Sequence, residues 1–316
     1  IVEGALTGVK SVDSAVDTAA YTDEATVSFT TAGRVPVGGS IRVVLPEVTS
    51  VQSGWVVSSG AGVVFGSPSS SAPVVNGGDV NVTSGGRVVE FAISDNELGQ
   101  GVVVAFTISH VTTPTRQVGA ASETSITTYD SSGNIIDSAS DVSTDAIVEG
   151  ALTGVKSVDS AVDTPAYTDE AVVSFTTAGV VPVGGSIRVS LPEVVSSQAG
   201  WVVSSGTSSV VFGSPSSSAP LVNGADVNVT SGGRVVEFAI SENELGQGVE
   251  VVFTISHVTT PTRQVGAASE TSIWTYDSLG NIIDSASDVS TDAITEGGLT
   301  GVKSVDSAVD TPAYTD

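Results

Sequence analysis

The sequence predicts an all-β chain built from tandem two-layer β-sandwich domains, and three observations predict it. Residues 1–146 return as residues 147–293 with roughly nine positions in ten unchanged, and residues 294–316 begin the same text a third time. Val, Ser, Thr and Gly fill a chain in which only 14% of residues are charged, the composition of strands and turns rather than of helices. Short runs alternate apolar and polar residues with period two between Gly-rich breaks. A period this long suits one whole domain per copy. The expected organisation is therefore a sandwich over 1–146, a second over 147–293, and the opening segment of a third over 294–316. The copies differ in length by one Ser, where Ala61-Gly62 becomes Thr207-Ser208-Ser209.

In chain order, Leu6, Val9, Val12 and Val16 are spaced more like a helix, but Gly8, Ser11 and Ser14 disfavour one, so an irregular edge strand is expected there. Ala25-Thr26-Val27-Ser28-Phe29-Thr30 and Ser40-Ile41-Arg42-Val43-Val44-Leu45 alternate cleanly and read as half-buried strands. Asp79-Val80-Asn81-Val82-Thr83 and Val89-Glu90-Phe91-Ala92-Ile93 repeat the pattern, and residues 101–111 place Val102, Val104, Phe106 and Ile108 on one face. Gly pairs at 38-39, 77-78 and 85-86, with Ser132-Gly133-Asn134, mark turns. Eight or so such strands give a two-sheet sandwich of immunoglobulin-like type, with the pairing order left open. Residues 137–150 and 284–297, rich in Ser, Asp and Ala, are the expected junctions.

The duplication doubles as a mutation series. Thr26 becomes Val172, Val44 becomes Ser190, Val103 becomes Glu250 and Thr127 becomes Trp274, all at positions that the alternation points outward. The inward Val27, Phe29, Ile41, Val43, Leu45, Phe91, Phe106 and Ile108 recur unchanged. A buried Glu costs several kcal/mol, so Glu250 fixes the orientation of its strand.

A net charge of −25 extends a chain of beads by self-repulsion and excludes nucleic acid as a partner. Cysteine is absent, so no disulfide or thiolate metal site is expected and the apolar cores hold the fold. No leader and no apolar run of membrane-spanning length is present, and no membrane insertion is expected of this segment. The interrupted third copy leads to the expectation that the sequence is a window of a longer chain.

Runs already quoted carry a resemblance. Leu6-Thr7-Gly8-Val9, Ala25 through Thr31, Val35-Pro36-Val37-Gly38-Gly39-Ser40-Ile41-Arg42-Val43 with Leu45-Pro46, Phe106-Thr107-Ile108, and Thr128 through Asp137 together resemble tandem sandwich modules of large cell-surface and extracellular fibre proteins of microbes and algae. The resemblance covers most of each copy and rests on strand and turn types. It implies a repetitive structural role outside the cell and names no ligand.

The candidate sites are few. His110 and His257 are the imidazoles, one per copy at an inward strand-end position, and read as structural rather than catalytic. No catalytic residue is expected: no nucleophile elbow, thiol or phosphate-cradling loop is present. Asp137, Asp141 and Asp145 could meet Asp159, Asp163 and Asp169 across a junction and hold calcium, the one cofactor considered; solvated carboxylates are the competing reading. Asn81 and Asn228 stand in Asn-X-Thr sequons at outward positions, sites for N-linked glycans. Ser69, Ser70 and Ser71, with Ser216, Ser217 and Ser218, lie in Pro-flanked loops that could carry O-linked sugars or serve as stiffened surface loops. Trp55 and Trp201 read as core or sheet-edge anchors; Trp274 is outward, a contact residue or drift.

Two function classes follow. One is a non-catalytic extracellular structural protein, a fibre or a surface stalk whose partners are copies of itself, with the opening segment able to add a strand to a neighbour. The other is an adhesin whose repeats present or extend a sugar- or surface-binding site.

Overall fold

A computed structural model describes residues 3–47, 54–68, 72–193, 200–216, 219–220, 222, 227–299, 301 and 304. Among the described residues the first copy forms eleven strands: β1 (Gly4–Ala5), β2 (Thr7–Ser14), β3 (Thr22–Thr30), β4 (Ser40–Val44), β5 (Val56–Val57), β6 (Val63–Ser67), β7 (Val80–Thr83), β8 (Val88–Ala92), β9 (Val103–Thr112), β10 (Ala121–Tyr129) and β11 (Ile135–Thr144). The second repeats them as β12 (Gly150–Ala151), β13 (Thr153–Ser160), β14 (Thr168–Thr176), β15 (Ser186–Ser190), β16 (Val202–Val203), β17 (Val210–Ser214), β18 (Val227–Thr230), β19 (Val235–Ala239), β20 (Glu250–Thr259), β21 (Ala268–Tyr276) and β22 (Ile282–Thr291). The chain is an all-β protein of tandem β-sandwich domains.

In the first copy hydrogen bonding runs in the order β5-β9-β3-β2-β11-β10-β4-β8-β7, with β6 also on β9 and β1 on β11. Most neighbours are antiparallel; β2 and β1 pair parallel with β11, so one continuous ladder folds over itself into two layers. The second copy has the same order, strand for strand. Between the layers, the Phe106 ring on β9 meets Phe91 on β8 at 5.1 Å and 79°, an edge-to-face contact of the kind worth about 0.5–1.5 kcal/mol beyond burial. Phe253 and Phe238 repeat it at 5.1 Å.

The alternation is confirmed residue by residue. Val27, Ile41, Val43 and Ile108 are fully buried and Phe29, Leu45, Phe91 and Phe106 nearly so. Val103 and Val172 are exposed, and Glu250 opens β20 on the solvent side. Trp55 and Trp201 are buried at the ends of the short outer strands β5 and β16, serving both expected roles.

Two local expectations are corrected. The segment after Leu6 is a strand but not an edge: β2 lies between β3 and β11. Gly8, at φ 68°, makes a bulge between Thr7 and Ser11, which turns Val9 outward while Leu6 and Val12 stay in the core. His110 is exposed, not inward. Its φ of 58° breaks the alternation, and the following Val111 takes the buried place; His257 does the same at 57°.

The two copies keep separate cores. One runs from Leu6 to Ile147, the other from Leu152 to Ile294. The chain crosses between them over residues 148–151, so Ile147, which the period places at the head of the second copy, packs in the first core. Residues 137–144 belong to β11 and not to a junction.

Candidate functional site

The feature that the duplication makes legible is the joint between the two sandwiches. At the far end of the first, Thr18, Ala19 and Ala20 form a blunt knuckle beside the turn that carries Pro114, Thr115 and Arg116. The small side chains matter here, because they let backbone approach backbone. Val148 N–H donates to Asp17 O, Ala19 N–H to Val148 O and Val180 N–H to Ala20 O, each at 2.9 Å. Thr113 Oγ1 donates to Thr18 O and holds the knuckle in place.

On the second sandwich this knuckle enters a recess floored by Gly150, Gly179 and Ile283. A methyl group at Gly150 would meet Thr18 Cγ2 at 2.9 Å, and one at Gly179 would run into the Ala19 carbonyl oxygen. Glycine at residue 179 is what the close approach requires, whereas at Gly150 a methyl would also strike Asp284 Oδ1 of its own sandwich. Around the rim, Thr115 Oγ1 donates to Asp277 Oδ2 at 3.0 Å and Gln117 Nε2 to Glu149 Oε2 at 3.2 Å. Gln247 accepts from Thr22 N–H at 2.8 Å and donates back to Thr22 O at 3.0 Å. Ala19 and Ala20 are buried by this contact. Residues 148–151 therefore form no slack tether; both ends are anchored in cores and the middle is bonded.

Two equivalent acidic trios occur, Asp13 with Asp17 and Asp145 beside the joint, and Asp159 with Asp163 and Asp292 at the matching end of the second sandwich. The sequence expectation grouped acids across the junction; the structure gathers them within one sandwich, where β2 and the end of β11 run side by side. Of the six expected calcium residues, Asp145 belongs to the first trio and Asp159 and Asp163 to the second. Asp137 is buried on β11 and accepts the N–H groups of Ala32 and Gly33 at 3.1 and 2.9 Å. Asp141 pairs with Lys10 at 3.0 Å, and Asp169 is exposed on β14. The three carboxylates of each trio offer up to six oxygens, where calcium takes six to eight. Ser14 Oγ donates to Asp17 Oδ1 at 2.7 Å.

The trios have a proton chemistry of their own. The hydrogen bond with Asp13, then burial, then the charges of Asp13 and Asp17 push the Asp145 carboxyl up to about 6. Asp292 is pushed up to about 6 by Asp159, burial and Asp163 in the same way. Asp284, the counterpart of Asp137, is raised to about 6 chiefly by burial, against the lowering effect of the Gly179 and Ala178 amides and the Thr275 hydroxyl.

Asn81 and Asn228 are exposed on β7 and β18, which among the described residues end the strand order of their sheets. Ser216 is exposed; Ser69, Ser70, Ser71, Ser217 and Ser218 lie outside the described residues. His110 Nδ1 lies 3.1 Å from Ser109 Oγ, beside its own strand. Trp274 is half-buried on its outer face, with the Arg188 guanidinium 5.9 Å over its ring, a cation–π contact that Thr127 does not offer Arg42. Among the described residues no helix is long and apolar enough to cross a membrane. Sequence reasoning missed the joint, because Ala19, Ala20, Gly150 and Gly179 leave no signal in the hydrophobic period.

No protein family matches the sequence, and no curated protein matches it. Among solved structures the chain is similar to the type II cohesin dyad from the adaptor ScaA scaffoldin of Acetivibrio cellulolyticus, with 9% identity over 88% of this chain and 95% of that one at a TM-score of 0.21. It is also similar to a serine-rich repeat adhesion glycoprotein from Streptococcus agalactiae, with 8% identity over 89% and 92% of the two chains at 0.20. By its own strands and cores this is a tandem β-sandwich protein. Its two sandwiches are one unit written twice and joined end to end.

Proposed function

We propose that the protein is a non-catalytic structural spacer outside the cell, a stiff acidic rod that serves as a fibre segment or surface stalk. The joint carries this reading. A connection of four residues, with bonded backbones and a buried knuckle, sets the pose of one sandwich on the next, which a stalk needs and a flexible tether lacks. The same contact begins again past the second sandwich, where Thr295 N–H donates to Asp163 O at 2.9 Å as Val148 does to Asp17. Repetition of one contact converts copy number into length. The acidic surface supports solubility at high copy number, and the exposure of Asn81 and Asn228 in Asn-X-Thr sequons supports one N-linked glycan per unit in a secretory host.

Small-angle scattering and electron microscopy of the purified chain test the reading. A single rod-like distance distribution is expected, with particles of uniform end-to-end length. A broad distribution of bent two-bead particles overturns it. Glycan-array binding by the isolated chain would instead support the adhesin class.

A further inference from the structure

We infer that the outer sheet face of the second sandwich binds its own N-linked glycan: the sugar chain attached at Asn228 lies inward across the sheet, over Glu237 and Arg188, and packs its third unit on the Trp274 ring. The inference rests on the glycan reading given above and adds the surface that the glycan occupies.

Strand register puts the four residues in one line. Asn228 on β18 faces Glu237 on β19, Glu237 faces Arg188 on β15, and Arg188 faces Trp274 on β21. All four stand on the outer side of the sheet. Asn228 is exposed and the other three are half-buried, while the neighbouring Phe238, Val189 and Ile273 are sealed in the core. Adjacent strands lie about 4.8 Å apart, so the line runs roughly 14 Å from the amide to the ring. A pyranose unit spans about one strand spacing. The two N-acetylglucosamine units and the first mannose of an N-linked core therefore reach Glu237, Arg188 and Trp274 in turn.

The groups along the line suit that occupant. Glu237, held by the Ser186 hydroxyl at 3.3 Å, offers carboxylate oxygens to sugar hydroxyls. Among the described residues Arg188 forms no ion pair, so its guanidinium remains available to donate to sugar oxygens. Trp274 has the Arg188 guanidinium 5.9 Å from its ring centroid and keeps part of its indole in solvent, an apolar surface on which the C–H face of a pyranose packs. A weak contact is enough here. The sugar is tethered three strands away, which holds it near the ring at roughly millimolar effective concentration.

The first sandwich carries the same line without its last member. Asn81 faces Glu90, Glu90 faces Arg42, and Arg42 faces Thr127. Exposure matches as well, with Asn81 exposed and the other three half-buried. Thr127 presents a methyl and a hydroxyl where Trp274 presents a ring, so the Asn81 glycan lacks an apolar surface to pack on and stays in solvent. Of the outward substitutions Thr26 to Val172, Val44 to Ser190, Val103 to Glu250 and Thr127 to Trp274, only the last adds a ring, and it falls on the line that starts at the sequon. One chain thus holds the site and its control.

The test uses the full chain made in a secretory eukaryotic host, with peptide mass mapping to read occupancy of Asn81 and Asn228. Trp55 and Trp201 are each 1% exposed, so acrylamide quenching of fluorescence reports on Trp274. An endoglycosidase that leaves a single N-acetylglucosamine removes the units that reach the ring. Taking away one of the ring's two covers, the glycan but not Arg188, should raise quenching about twofold. Asn228→Gln, with Asn81 still glycosylated, should show the raised quenching from the start and no change on trimming. Adding Thr127→Trp to that variant completes the line in the first copy and should restore a rise on trimming. With both asparagines occupied, quenching that stays flat on trimming in either the parent chain or the double variant overturns the inference and leaves the glycan reading standing. An unoccupied Asn228 removes both.

Discussion

Gly179→Ala isolates the joint from the folds that it connects. The added methyl would press on the Ala19 carbonyl oxygen, a backbone atom that cannot rotate away, and would lie 2.7 Å from Ile283 Cγ2. To restore ordinary contact the two sandwiches must part by roughly an ångström, which breaks the 2.9 Å bond from Val180 N–H to Ala20 O and strains that from Ala19 N–H to Val148 O. Overpacking costs about 1–3 kcal/mol and each bond lost about 0.5–1.5 kcal/mol, so the joint should weaken by about 2–4 kcal/mol. Gly33→Ala is the matched control. Its methyl meets side chains of its own sandwich, Ile136 Cγ2 at 2.5 Å and Asp137 Oδ1 at 3.3 Å, with no second sandwich in the way. Small-angle scattering should report a hinge-like spread of distances for Gly179→Ala and the rod of the parent chain for Gly33→Ala. An unchanged profile for Gly179→Ala, or an equal change in both, refutes the reasoning.

Val103→Glu should leave urea stability within about 0.5 kcal/mol, since Glu250 already occupies that outward position, whereas Val104→Glu, one residue on and fully buried, should unfold the first sandwich; equal effects would break the assigned parity. Because Asp145, Asp292 and Asp284 hold protons up to about pH 6 when folded and release them near 3.8 when unfolded, their contribution is complete below 3.8 and is lost as pH rises through 6. Melting temperature should therefore fall between pH 4.5 and 7.5, and Asp145→Asn/Asp292→Asn should flatten that slope; an unaltered slope would assign it elsewhere. Asp284→Leu strands the Ala178 and Gly179 amides, at about 1–3 kcal/mol each, and should lower the urea midpoint of the second sandwich with the first unaffected, read by Trp201 against Trp55 fluorescence.

How far the sequence could be read depended on which physical signal each residue emits. Val27, Phe29, Phe106 and Ile108 announce a strand by alternating polarity, and comparison with the second copy checks their direction independently. Gly8 and His110 interrupt that alternation with positive φ, so β2 looked like an edge and His110 looked inward; a conformational break leaves no trace in hydrophobic period. The acids were legible as a cluster near a bead end but not as partners, because β2 and the end of β11 are brought together by parallel pairing between residues 132 positions apart. Ala19, Ala20 and Gly179 were silent for a different reason. They act through absent bulk, which only coordinates reveal.

Knuckle and recess lie at opposite ends of the same unit, and this has a genetic corollary. Any unequal crossover that adds one whole period adds a lock already cut for its key, so the tract can lengthen or shorten in a single event without a compensating change elsewhere. Reach becomes a trait that recombination tunes in steps, while each step inherits its fit from its neighbour.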